Sequence, residues 1–123
     1  MSDQTPDLQV TFEQINDVTI ARFDTYEISS LASIDQPLQQ FKEEIQTRQP
    51  KKLIVDFTGV SFVATSAINM LLVILKRVRS YEGDVCLCGL SRTVRNVFEI
   101  MQLTRIFEVY PDRYAAMARI SQA

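Results

Sequence analysis

Histidine is absent from the 123-residue chain. Its absence removes the commonest general base near neutral pH and the commonest metal ligand. No Ser-His or Cys-His pair can be assembled for nucleophilic catalysis. Glycine is nearly as scarce: Gly59, Gly83 and Gly89 are the only three, too scattered to build a phosphate-cradling loop. The two cysteines, Cys86 and Cys88, stand one residue apart, which is neither a redox CxxC nor a zinc pair. On a strand they would share one face, as small buried hydrophobes. Long apolar runs are missing too. The longest, residues 70–75, falls far short of the roughly 18 that suggest a membrane span. The polar, acidic opening Met-Ser-Asp-Gln-Thr-Pro-Asp has no basic region leading into an apolar run. The net charge of −2 gives no general pull toward nucleic acid or anionic lipid. These absences predict a cytoplasmic chain without direct membrane insertion, metal or cofactor, and not an enzyme. Paired carboxylates such as Glu43-Glu44 fit a solvated helix face.

What remains is an ordinary globular composition, 46% hydrophobic and 23% charged, with one domain's length and enough chain for one core. Residues 1–7 read as a flexible tail and 8–120 as the domain. Residues 8–13 alternate apolar and polar, with Leu8, Val10 and Phe12 on one face. Asn16-Asp17 signals a turn into a second strand over 18–23, so the pair reads as a hairpin. Pro37 fits the first turn of a helix over 36–47, in which Leu38, Phe41 and Ile45 recur at helical spacing, and Pro50 marks its end. Residues 53–57, Leu-Ile-Val-Asp-Phe, form the short apolar run of a strand buried on both faces, with Asp56 in a pairing or capping role. After Thr58-Gly59, residues 60–63 continue extended.

Thr65-Ser66 is a pair of good N-cap residues ahead of a helix that is apolar on nearly every side over 67–75. Lys76, Arg77 and Arg79 suit its negative end, and Gly83 its stop. A strand over 84–90, a helix capped by Ser91 with the stripe Val94, Val97, Phe98 and Met101, a strand over 106–110 and a helix after Pro111-Asp112 complete the chain. The order β-β-α-β-α-β-α-β-α implies a mostly parallel five-stranded α/β sheet with an antiparallel N-terminal edge strand and about four helices.

The run Leu-Ile-Val-Asp-Phe-Thr-Gly-Val-Ser-Phe-Val over 53–63, followed by a small polar pair and a buried helix, resembles the central motif of STAS domains. Residues 83–90, 94–103 and 106–109 followed by Ala115-Ala116 are similar to the family's later elements, so the resemblance covers about residues 8–120. It implies the STAS fold and a role in protein–protein recognition, with an anti-sigma factor that is also a serine kinase as the partner. In the antagonists of that family, a serine at the start of the central helix is phosphorylated, and the unphosphorylated form binds the anti-sigma factor. The family's Asp-Ser-Ser-Gly or Asp-Ser-Thr-Gly is Ala64-Thr65-Ser66-Ala67 here. Both hydroxyls are kept, and the Asp and Gly are each replaced by Ala. The resemblance places the phosphorylated position at Ser66, with Thr65 the alternative.

A phosphate there would meet the free N–H groups of a helix start and add about −1.5 to −2 charges to the contact surface. Plain helix capping accounts for the same two residues. The implied partner-binding set is Ala64, Thr65, Ser66, Ala67 and Asn69. Arg92 and Arg95 join it, since they sit at a helix start where the dipole disfavours cations and on the same edge of an open sheet. They also read, by the plainer account, as solvated arginines balanced by acidic neighbours. The family also contains constitutive scaffolds and accessory subunits of stressosomes and lipid transporters, so other STAS subunits are the alternative partners, and the missing Asp favours that reading. A nucleotide-binding or enzymatic α/β domain is disfavoured by the absent phosphate loop and histidine.

Overall fold

The computed structural model describes residues 10–23, 27–28 and 31–120. The expected tail, residues 1–7, and Leu8 lie outside them. Strand β1, Val10–Ile15, turns back through Asn16-Asp17 into β2, Val18–Phe23, and Ile15 faces Val18 across the turn. Asn16 takes φ 56°, a left-handed value that asparagine tolerates. Lys52 Nζ reaches Asp17 at 3.1 Å and ties the turn to the next strand.

Beyond the hairpin the chain alternates helix and strand: α1 (Leu31–Arg48), β4 (Lys52–Asp56), α2 (Thr65–Arg79), β6 (Asp84–Cys88), α3 (Arg92–Ile100), β7 (Glu108–Tyr110) and α4 (Arg113–Ile120). The sheet order is β1-β2-β4-β6-β7, antiparallel at the hairpin and parallel elsewhere. The expected five strands, parallel core and four helices are all present. A second, two-stranded ribbon was not foreseen: β3 (Glu27–Ile28) pairs in parallel with β5 (Phe62–Val63), just ahead of α2.

Strand periodicity divides the core. Leu53, Val55, Val85 and Leu87 face Phe41 and Ile45 of α1, Ile68, Leu71 and Ile74 of α2, and Val94 and Phe98 of α3. The alternate residues Ile54, Cys86 and Cys88 join Val18 and Ile20 against Ala116 and Ile120 of α4. Three helices therefore cover one face and α4 the other. Phe12, Phe41, Phe23, Phe57 and Phe98 form a chain of ring contacts through the larger core, with centroids 5.2–6.2 Å apart.

Several expectations are corrected. Helix α1 begins at Leu31, not near 36, so Pro37 lies inside it and leaves one turn without its N–H bond. Helix α2 is apolar on nearly every side but not buried all round, because Val73 is 38% exposed and Leu72 only partly buried. Gly83 does not supply a left-handed stop. Glu82 takes φ 68°, and Gly83 is needed for space, since a Cβ there would lie 2.6 Å from Val78 Cγ1. Helix α3 ends at Ile100. Met101 sits beyond it half-exposed, leading through Gln102 (φ 59°) into one 3-10 turn at Leu103–Arg105. Strand β7 starts at Glu108, not 106.

Candidate functional site

The carboxyl ends of β4, β6 and β7 feed loops on one edge of the sheet, where open α/β sheets hold their ligands and partners. Asp56 ends β4 and is buried. Its Oδ1 accepts the Thr58 amide at 2.9 Å and the Thr58 hydroxyl at 2.6 Å, an Asx turn that starts the loop. Phe57 O accepts Val60 N at 2.9 Å around Gly59, φ 89°, as a type II turn requires. Oδ2 of Asp56 accepts Nε and Nη2 of Arg113 at 3.3 Å each, and Arg113 Nη1 reaches Glu13 Oε1 at 3.1 Å. Burial works against the Asp56 carboxylate. The Thr58 hydroxyl and amide, the Arg113 charge and the Cys88 thiol outweigh it and hold Asp56 below the usual carboxylate range. The expected pairing and capping role of Asp56 is thus observed. Its partner Arg113, 57 residues away, carried no sequence signal, whereas the Asp-x-Thr spacing did.

The neighbouring loop locks onto this turn. Gly89 has φ 72°, and a Cβ on it would strike Thr58 Oγ1 and lie 3.0 Å from Asp56 Oδ1. Only glycine meets both the dihedral and the space there. Gly89 N also donates to Tyr110 O at 3.2 Å, joining the β6 and β7 ends. Loops 57–64 and 89–91 are therefore held in fixed relation. Between them a groove of about 490 Å³ is lined by Ser61, Ser91, Leu90 and Pro111 among others.

From this rigid base rises the start of α2. Thr65 and Ser66 do not cap it. The N-cap is Ala64, in extended conformation (φ −81°, ψ 164°), with no side-chain cap bond. Ala67 N and Ile68 N bond back to Ala64 O at 3.0 and 3.3 Å. Thr65 and Ser66 occupy the first two helical positions, and among the described residues neither hydroxyl makes a side-chain hydrogen bond. The capping explanation for these two residues therefore fails. Thr65 is exposed and Ser66 partly so. Ala67 is buried at 1% exposure in the larger core, while Asn69 faces solvent one turn on. The first turn carries no acidic residue, and its N–H groups lack a side-chain acceptor.

Arg92 and Arg95 lie on the same sheet edge, in the first turn of α3, which packs against β5. Ser91 caps that helix as expected, its Oγ accepting Val94 N at 3.2 Å. Arg95 Nε is drawn along α3 to Glu99 at 3.4 Å, whereas Arg92 is exposed and has no ion pair among the described residues. The acidic-neighbour reading therefore holds for Arg95 and not for Arg92.

The cysteines offer no reactive thiolate at this edge. Both are buried and free, and burial first, then nearby carboxylates, push the Cys86 thiol up to about 12 and Cys88 higher still. Among the described residues no His, Cys, Asp or Glu group could hold a metal ion, and no helix is long and apolar enough to cross a membrane.

Comparison with known proteins matches this arrangement. The model of the STAS domain family matches residues 9–116. A Bordetella bronchiseptica protein named as an anti-sigma factor antagonist, BtrV, is 28% identical over 88 residues, covering 69% of this chain and 76% of that protein. An anti-sigma factor antagonist from Mycobacterium paratuberculosis superposes with TM-score 0.84 at 16% identity, covering 94% of this chain and 95% of its own. The Bacillus cell fate determinant SpoIIAA in its phosphorylated form superposes with TM-score 0.69 at 18% identity, covering 91% and 99%.

Proposed function

This chain belongs to the STAS domain family, and from that membership we propose that it is an anti-sigma-factor antagonist, switched by phosphorylation at the start of α2. The observation that carries the reading is the open first turn of α2: two hydroxyls without capping duty, at a helix N-terminus without a side-chain acceptor, on the same sheet edge as Arg92, which has no ion pair among the described residues. The relative named as an antagonist supports the same role. In the unphosphorylated state the surface formed by Ala64, Thr65, Ser66, Asn69 and the start of α3 docks an anti-sigma factor, itself a serine kinase. Ala67 supports that surface from below.

Transfer of the γ-phosphoryl of ATP to the hydroxyl oxygen of Ser66, or of the more exposed Thr65, releases ADP and a proton. The phosphate would face the α2 N–H groups and sit on Arg92's side of the edge, where helix dipole and guanidinium both favour it. Its charge and bulk would then block the partner, while the fold stays as it is.

One observation favours a second reading. Ala64 places no carboxylate beside the two hydroxyls, and among the described residues no side-chain hydrogen bond orients them. On that reading the domain is a constitutive scaffold or accessory subunit of a larger STAS assembly. Affinity capture from host lysate with wild-type and Ser66→Asp baits separates the two. The antagonist reading expects a kinase-type anti-sigma factor with wild type that disappears with Ser66→Asp. Identical partners on both baits would overturn it.

A further inference from the structure

We propose that two copies of this chain pair antiparallel along β1, continuing the sheet across a twofold axis at Phe12. The inference is independent of the antagonist reading and concerns the opposite end of the sheet order from β7. Strand β1 is an edge: among the described residues only β2 pairs with it. In a two-residue hairpin the residues flanking the turn, Ile15 and Val18, exchange backbone bonds. The alternation then directs the N–H and C=O of Ile15, Glu13 and Thr11 toward β2. Those of Gln14, Phe12 and Val10 point outward.

Exposed edges are normally blunted by proline, lysine, a bulge or shortness. β1 has no proline, lysine or bulge, and its one charge, Glu13, is paired with Arg113 at 3.1 Å: it is Val-Thr-Phe-Glu-Gln-Ile, six residues paired one-to-one with β2. The other edge is protected, since β7 has three residues and runs directly into Pro111.

One register of the edge against itself pairs every outward-facing described residue. With Phe12 opposite Phe12, Val10 stands opposite Gln14 and every outward-facing residue finds a partner. A one-residue shift would turn core-facing side chains to the wrong side of the sheet. A shift toward the turn would set Glu13 against Glu13, like charges directly opposed. In the favoured register Glu13 faces Thr11 instead. Phe12 is half-buried, edge-on to Phe41 at 5.2 Å, and pairing with its symmetry copy covers its remaining exposed face. Beside it a groove of about 340 Å³, lined by Val10, Phe12, Gln40 and Thr47 among others, lies open. At that groove Gln40 Oε1 is buried without a hydrogen-bond partner.

Sedimentation equilibrium of the full chain tests the proposal. The expected result is a concentration-dependent species of twice the 14.1 kDa chain mass. Gln14→Pro removes an outward donor from each copy without touching the backbone bonds to β2, losing only the 3.4 Å bond that Thr19 Oγ1 donates to the Gln14 side chain, and is expected to weaken the dimer about tenfold or more. In case that variant fails to fold, the double variant Thr11→Cys, Glu13→Cys gives a second readout. Opposed non-hydrogen-bonded residues sit about 4.5 Å apart at Cα, within disulfide reach, so oxidation is expected to yield a covalent dimer. A wild-type chain that stays monomeric up to about 1 mM overturns the proposal. So does a dimer that folded Gln14→Pro leaves unchanged, or one that the cysteine pair does not cross-link.

Discussion

Replacing Asp56 with asparagine removes one charge from the carboxyl end of β4 while keeping its shape. The amide oxygen can still accept the Thr58 amide and hydroxyl, which now bond Oδ1 at 2.9 and 2.6 Å. The amide nitrogen, however, takes the place of Oδ2 and turns donors toward the two Arg113 donors at 3.3 Å. Two charge-assisted bonds are lost, each worth about 1.5–3 kcal/mol. Arg113 keeps Glu13 at 3.1 Å and is a quarter exposed, so water recovers part of the loss. A net destabilisation of about 2–4 kcal/mol at pH 7 follows. The folded carboxyl titrates below its unfolded value, so its contribution is complete above the unfolded pKa of about 4 and fades as pH falls through the folded one. Asparagine has no such dependence. Urea unfolding of both proteins from pH 7 to pH 3 should therefore show a gap that narrows in acid. A gap under about 0.5 kcal/mol at pH 7, or one that stays constant to pH 3, would refute the role assigned to this network.

Leu71, at 1% exposure, and Leu72, partly buried, test which face of α2 meets the core. Leu71→Ala should cost about 2–5 kcal/mol by chemical denaturation and Leu72→Ala about 1, and equal losses would contradict the helix orientation. Gly89→Ala should cost about 2–5 kcal/mol through its left-handed φ and the collision with Thr58, with part recovered in a Thr58→Ala background. A neutral Gly89→Ala would mean the two loops are not locked. Cys86 and Cys88 should resist a thiol reagent at pH 8 until the protein unfolds, because both remain protonated and buried. Rapid labelling of the native chain would contradict that burial.

Much of this was legible because the signals were local. Asn16-Asp17 between two alternating runs fixed the hairpin, and the continuous apolar run at 53–57 marked a strand covered on both faces. Ser91 before a short amphipathic stripe gave the cap of α3. What escaped depends on distant chain. The β3–β5 ribbon has two residues per strand, too few for any period. The start of α1 was misplaced because Pro37 reads as a first-turn residue, yet here it sits within the helix. Gly83 suggested a left-handed stop, but close packing on Val78 explains it. At the candidate site, the four residues 64–67 were singled out by their resemblance to a motif, while their geometry was not legible. Thr65 and Ser66 looked like caps, and only the structure shows Ala64 in that position. Arg113 was invisible because its partner Asp56 is remote in sequence.

The central claim, that the open start of α2 is a phosphorylation-gated docking edge, is tested most directly by one affinity comparison. The anti-sigma factor captured by the wild-type chain would be titrated against the unphosphorylated chain and against the chain phosphorylated at Ser66 or Thr65, the site mapped by mass spectrometry. The account predicts tight binding of the first and a loss of about a hundredfold or more with the second, as expected for a dianion placed in a desolvated contact. Equal affinity of the two forms, or phosphate found only away from the α2 start, would contradict it.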